Sequence, residues 1–249
     1  SLLNAPCSAS ARSLSSNFVH LIQPGAYFSA PFVLQKEFWR RYPHPNLDPS
    51  VDDADLNVYA TRHMPRLIFG LVGLQGCGKG TLADTLIQDH HAGYSRFSAI
   101  LSDILKRLAI ETNRDNFTKA SVALRSAFGE DVFSYAVETA ALQAKEDIVV
   151  IDGIRRPEDI VALEPLPHFH LISIEADAKL RFERMKQRGE KATESSMTWE
   201  KFLADEQLPT EVTIPFVMSR ARYRLHNNGT REEFAQAAKA LLNTFGLPT

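Results

Sequence analysis

One lysine and five glycines share the stretch Gly70–Leu86, GLVGLQGCGKGTLADTL. Within it, Gly73–Gly80 reads GLQGCGKG, the G-x-x-x-x-G-K spacing of a phosphate-binding loop. The chemistry requires these residue types. Glycines, with no Cβ in the way, let successive backbone N–H groups turn inward around an anion. A helix that starts at the end of the loop directs its positive end at the same anion. Lys79 adds a mobile cation for the outer phosphates of a nucleotide. Gly73, Gly76, Cys77, Gly78, Lys79, Gly80 and Thr81 are therefore the candidate nucleotide contacts. The common form of the loop has Ser or Thr directly after the lysine, where its hydroxyl ligates Mg²⁺. Here Gly80 holds that place and Thr81 follows, a departure that leaves magnesium held largely through water and other groups, with Thr81 kept as a candidate metal contact.

A second stretch, Ile148–Asp159, reads IVVIDGIRRPED. Four apolar residues end in Asp152, an acid at the carboxyl end of a buried strand, where α/β sheets bind ligands. Such an acid can organise Mg²⁺ and its waters, or a substrate hydroxyl. The bland alternative is a turn residue or helix N-cap. Arg155 follows three residues later, and a planar guanidinium suits bidentate phosphate binding. Its alternative is a surface ion pair. Further on, Arg181, Arg184 and Arg188 recur in one charged segment, the last two four residues apart on a shared helix face. Basic residues on a flap can neutralise a transferring phosphoryl group and exclude water. The alternative is a solvated helix, since Glu183, Lys186 and Gln187 are interleaved.

These residues need elements to position them. RLIFGLVG, from Arg66, is a continuous apolar run ending in glycine, as expected of a buried parallel strand. Lys79 to about His90 reads as a helix with Leu82 and Leu86 on one face. The segment from Phe117 carries Phe117, Leu124, Phe128, Val132 and Tyr135 at three- and four-residue steps, a helical pattern with a break near Gly129. DIVVIDG and FHLISIEA read as two more buried strands, DAKLRFERMKQRG as a helix stopping at Gly189, and RYRLHNNG as a last strand. TREEFAQAAKALLNTF reads as a last helix, with a capping box of Thr230 and Glu233 and a stripe of Phe234, Ala238, Leu241 and Phe245. Strands alternating with helices imply an α/β fold, a parallel sheet with helices on both faces.

The whole chain sets the bounds. It has 249 residues, 44% hydrophobic and 23% charged, with a formal net charge of -2. That balance gives no reason to expect nucleic acid or an anionic membrane as partner. No apolar run approaches the length needed to span a bilayer. Cys7 and Cys77 cannot form a disulfide framework, so a reducing, cytoplasmic setting is the simpler expectation. The first acid is Glu37, and the Ser-, Ala- and Arg-containing start has a faint likeness to an organelle transit segment, so import stays open. Residues 1–65 hold more than half of the prolines and read as an irregular N-terminal extension; residues 66–249 read as the folded domain. Residues 32–42 form a short amphipathic piece in which Phe38, Trp39 and Tyr42, with Arg40 and Arg41, suit a protein contact or self-association.

From about Arg66 to Phe245 the chain resembles the P-loop nucleotide kinases, nearest to the archaeal-type nucleotide-kinase-like family related to dephospho-CoA kinase and adenylate kinase. The resemblance rests on VGLQGCGKGT, ALRSAFGEDV, VVIDGIR, RFERMKQRG, TWEKFLADE and HNNGTREEF, in that order. It implies a three-layer P-loop kinase fold with a helical lid. It also implies ATP held by Lys79 and the loop glycines, Asp152 near Mg²⁺, and Arg155 and Arg125 facing an acceptor phosphate. Arg184 and Arg188 would belong to the lid, Asn228 and its neighbours would lie near the adenine, and Asp103 would be an acceptor-side acid. The chain departs from the pattern where Ser102-Asp103 leads to Lys106 and Arg107, and where Ala204 precedes Asp205-Glu206. These departures bear on the acceptor rather than on ATP.

Two functions of different class follow. One is an ATP-dependent phosphotransferase acting on a small nucleotide-like acceptor, a nucleoside monophosphate or dephospho-CoA. The other is a nucleotide-binding switch or scaffold with weak ATPase activity and a protein partner. A monophosphate acceptor needs a second arginine-lined site, and a hydroxyl acceptor needs a base such as Asp103 or Asp152; the sequence offers both.

Overall fold

The computed structural model describes residues 64–188 and 197–247, with the Arg188 side chain also outside the description. The extension, its 32–42 piece and Gly189, where the charged helix is expected to stop, therefore lie outside the described residues.

The apolar runs become the middle of a five-stranded sheet. β1 (Leu67–Val72) and β3 (Ile148–Asp152) are buried at every position. Only a strand covered on both faces can carry such an unbroken apolar run without exposing it. β4 (Phe169–Glu175) flanks β1 on the other side, and the short β2 (Gly93–Arg96) and β5 (Tyr223–His226) close the edges. The order is β2-β3-β1-β4-β5, and every pairing is parallel. All five carboxyl ends thus lie at one edge. The chain leaves β1 toward β2 on one side and enters β4 on the other, which opens a crevice beyond the end of β1.

Helices cover both faces. α1 (Lys79–His90) and α8 (Arg231–Asn243) pack Leu82, Leu86, Phe234 and Leu242 onto Phe69, Leu71, Ile172 and Ile174. Each large apolar side chain closed off this way contributes about 1.5–3 kcal/mol. The alternate residues Ile68, Val149 and Ile151, buried just as deeply, point to the opposite face. There α4 (Val132–Leu142) lies against β2 and β3, and α7 (Ile214–Arg220) against β1 and β4. The remaining helices are α2 (Phe97–Arg107), α3 (Arg114–Phe128), α5 (Ala178–Arg188) and α6 (Trp199–Glu206).

The helix expected to break near Gly129 is two helices, α3 and α4, and Gly129 sits between them at φ 106. The capping box of α8 is present in both directions: Glu233 N donates to Thr230 Oγ1 at 3.2 Å, and Thr230 N to Glu233 Oε2 at 2.8 Å. The helix stops at Asn243, short of the expected Phe245, and Leu242 rather than Leu241 is fully enclosed. Leu241 and Phe245 still pack on the core from its margin. Among the described residues, no helix is long and apolar enough to cross a membrane.

Candidate functional site

The loop between β1 and α1 occupies the crevice. Gly78 caps α1 at φ 108, with no side chain bonded to the first amides of the helix. Those amides remain available to an anion. A Cβ on Gly78 would fall 2.3 Å from Asn227 Nδ2, so both conformation and space demand glycine there. At Gly80, by contrast, a Cβ would meet nothing within 4 Å. Lys79 folds over the loop: Nζ donates to Gly73 O at 2.5 Å and to Leu74 O at 3.2 Å. Thr81 lies in the first turn of α1, half-buried, its carbonyl accepting from Thr85 Oγ1 at 3.1 Å.

Cys77 is 1% exposed and belongs to the core cluster. Its backbone, not its thiol, is the part left to face an anion, as the loop chemistry requires. Its carbonyl accepts from Asn227 Nδ2 at 2.8 Å, and Asn227 N donates to Glu175 O at 2.7 Å. Asn227 therefore ties the loop to the ends of β4 and β5. The sequence points to Asn228 and its neighbours as a group, and Asn227 is the member that bonds the loop. The only signal was the Asn pair directly after a strand, which does not say which member turns inward.

Asn228 instead exchanges hydrogen bonds with Asp177, donating from Nδ2 at 3.0 Å and accepting from Asp177 N at 2.8 Å. Arg184 reaches the same corner: Nη1 donates to Asn227 O at 2.9 Å and Nη2 to Asn227 Oδ1 at 3.3 Å. Arg184 and Asn228 are thus brought together beside the β5–α8 turn. Arg181 is not a solvated member of its helix. It is 4% exposed, donates to Ala176 O at 2.9 Å, reaches Gln75 O at 3.4 Å, and pairs with Glu206 of α6. It fastens α5 to the glycine loop. Arg188 ends α5, its side chain outside the described residues.

On the other side of the loop, Asp152 closes β3 at 9% exposure. Its Oδ1 accepts from Gly153 N at 2.7 Å and its Oδ2 from the Tyr94 hydroxyl at 2.9 Å. Burial, then the neighbouring Asp152 carboxylate, pushes the Tyr94 phenol up to about 12, so it remains a proton donor at neutral pH. Asp159 organises the exit from β3. Its Oδ2 accepts from Arg155 N at 2.9 Å and Arg156 N at 3.0 Å, and its Oδ1 pairs with Arg125 at 2.7 Å.

That pair changes the expectation for Arg125. Its side chain is 9% exposed, the guanidinium lies over the Phe133 ring at 4.9 Å, and Asp159 and the Glu130 carbonyl take up its donors. It holds α3 to the β3 exit rather than standing open to an acceptor. Arg155 pairs with Glu211 while keeping 43% of its side chain exposed. Asp103 is exposed on α2. The structure thus gathers Lys79, Thr81 and Asp152 around the end of β1 and its neighbour. Arg184 and Asn228 lie on the β5 side.

Fold and loop together define a P-loop nucleotide-kinase-like α/β domain. A family model described as an AAA domain matches residues 70–205, more than half of the chain. A UPF0200 protein of Thermococcus kodakarensis is 29% identical over 182 residues, covering 71% of this chain and 97% of that protein. A UPF0200 protein of Sulfurisphaera tokodaii is 30% identical over 177 residues, covering 70% of this chain and 95% of that protein. The crystal structure of TT1252 from Thermus thermophilus superposes with a TM-score of 0.50 at 19% identity, covering 73% of this chain and 98% of that one, a likeness of fold. The chain belongs to the AAA-domain family and to the UPF0200 proteins.

Proposed function

We propose that this chain is an ATP-dependent phosphotransferase whose acceptor is a nucleotide or nucleotide-like small molecule. The observation that carries the reading is the arrangement at the sheet edge. An uncapped helix start and the Lys79 ammonium meet at the end of β1, with Asp152 at the end of the adjoining β3. We assign the activity to residues 66–249, with residues 1–65 as an extension to that domain.

Lys79 would exchange the Gly73 and Leu74 carbonyls for the outer phosphates of ATP. The amides of residues 78–81 would face the same oxygens, and Arg184 and Asn228 would border the base. Among the described residues no three His, Cys, Asp or Glu side chains cluster to hold a metal. One carboxylate and one hydroxyl, Asp152 and Thr81, fit Mg²⁺, which keeps several waters and binds through one or two carboxylates plus substrate phosphates. Asp152 and the Thr81 hydroxyl would hold it, and when bound it would neutralise charge on the phosphates. Arg155, half-exposed beyond β3, would approach the transferring group from the acceptor side; Asp103 would lie further out on α2. Phosphoryl transfer needs mainly such positioning and charge neutralisation.

The test is ADP formation from ATP with and without a panel of nucleoside monophosphates and dephospho-CoA. Stoichiometric ADP and a phosphorylated product that appear only with an acceptor support the reading. Slow hydrolysis indifferent to every acceptor supports the alternative, a nucleotide-dependent switch.

A further inference from the structure

β2 ends in Arg96 and β3 in Asp152, and the two are register partners at the carboxyl edge of the sheet. Tyr94, two residues back on β2, shares a face with Arg96. The three side chains form one cluster. The Tyr94 hydroxyl donates to Asp152 Oδ2 at 2.9 Å and accepts from Arg96 Nε at 2.6 Å. The Arg96 guanidinium lies 5.1 Å over the Tyr94 ring, with Nη2 3.5 Å from the same Oδ2. The Arg96 side chain is 54% exposed, against 13% for Asp152.

The neighbouring arginines are engaged elsewhere. Arg125, Arg155 and Arg156 pair with Asp159, Glu211 and Glu130, none of them the carboxylate at the end of β3. Arg96 pairs with the acid assigned above to Mg²⁺. A guanidinium in that place opposes a divalent cation on the same carboxylate. An anion arriving at this edge offers the guanidinium a second partner, with two oxygens for its parallel donors.

We propose that Arg96 is the residue that takes the phosphate of a phosphate-bearing acceptor, and that Tyr94 is a positioning residue that parks it on Asp152 until the acceptor arrives. This deepens the phosphotransferase reading and rests on it for the part played by Asp152. Moving Arg96 onto the acceptor frees Asp152 for the metal. Acceptor and Mg²⁺ then favour each other's binding, and the effect is reciprocal.

The test uses the full chain saturated with a non-hydrolysable ATP analogue. Calorimetry measures the affinity for Mg²⁺ and, separately, for AMP, dephospho-CoA and inorganic phosphate. Arg96→Gln is expected to weaken the best-binding of these three about tenfold or more, to tighten Mg²⁺ severalfold, and to leave the analogue within about twofold. Damage to the fold would weaken both ligands, so the opposite signs separate a binding role from a structural one. Tyr94→Phe is expected to shrink the mutual effect of phosphate probe and Mg²⁺, each titrated with the other present. The proposal is overturned if Arg96→Gln leaves Mg²⁺ affinity unchanged or lowers it, or if no phosphate-bearing probe loses affinity. Failure of the analogue to bind the parent chain is a different result, and it removes the phosphotransferase reading itself.

Discussion

The glycine-loop corner and the α2–α3 arm are built on opposite principles. Around the loop, β1 is buried throughout, α1 encloses Leu82, Ala83 and Leu86, and Arg181 and Asn227 lock the loop from two sides. In the arm, α3 encloses none of its fifteen residues, and Leu108, Val122 and Phe128 stand 64%, 62% and 70% exposed. α3 packs on α2 and α4, and the Arg125–Asp159 pair ties it to the exit from β3. The loop corner is specified by packing, whose cost of disruption is high everywhere. The α2–α3 arm encloses few apolar side chains, and regions with few buried apolar contacts sit at the low end of local stability. Elements that close over a ligand are drawn from that end.

The largest expected effect tests the loop's side of this contrast. Lys79→Ala should lower turnover about 100- to 1000-fold, since a cation placed where charge builds in the transition state is worth several kcal/mol. The thermal midpoint should stay close to that of the parent. Lys79 is only half-buried, and its partners are loop carbonyls that water can reach. Steady-state rates and a melting curve on the same preparation check both halves. Full turnover in the mutant would remove the assignment of Lys79 to the phosphates.

The next effect tests the arm. Arg125→Leu should destabilise the fold by about 3 kcal/mol, because it leaves the buried Asp159 without its cation. Asp159 keeps two backbone donors, which places the loss at the low end of the range for broken buried pairs. Urea unfolding measures it. A loss under about 1 kcal/mol would mean that packing, not this pair, holds α3, since an exposed pair is worth no more than that.

What was legible in the sequence divides along the same line. The central strands, α1 and α8 were readable because burial on both faces or along one stripe writes itself as an apolar run or a period. The glycine loop was readable because backbone geometry at Gly78 admits one residue type. β2 was not: its residues GYSR have no apolar run, and an edge strand of four residues needs none. α2, α6 and α7 were likewise passed over as elements; each encloses only one or two side chains. The arginines show the harder limit. Arg125 and Arg181 look like solvent-facing charges in one dimension, and only the fold brings Asp159 and Glu206 to them from 34 and 25 residues away.

Acid should act through the sheet side of the comparison. Burial depresses His168 and His170 to about 4, and raises Glu138 of α4 to about 7. Between pH 6.5 and 4 the unfolded chain takes up protons that the two folded histidines refuse, so their contribution to stability is lost as pH falls. Glu138 has the opposite sign: its folded form keeps a proton up to about 7 that the unfolded chain releases above 4.5, so its contribution falls as pH rises. Two protons against one leave a net loss on acidification, at most about 1.4 kcal/mol per pH unit and less because His170 and Glu138 keep some solvent screening. Urea midpoints at pH 5 and 6.5 should show it, and Glu138→Gln should steepen the slope by removing the opposing term. A parent chain equally stable at both values, with an unchanged Glu138→Gln slope, would contradict this balance.

The smallest expected effect is the sharpest check on α3. Val122 is 62% exposed, so Val122→Ala removes few contacts; its change in stability should lie within about 0.5 kcal/mol. The slightly better helix propensity of alanine even favours the mutant. The matching change at the loop corner, Leu82→Ala on a side chain of 0% exposure, should cost about 2–5 kcal/mol through lost transfer energy and the cavity left behind. Both are read from the same urea titration, and their ratio states the contrast between the two halves as one number. A loss above about 1 kcal/mol at Val122 would mean that the outer face of α3 is covered in solution, because a solvated valine has no packing of that size to lose. The α2–α3 arm would then be held by packing as the loop corner is, and its polar ties would no longer set it apart.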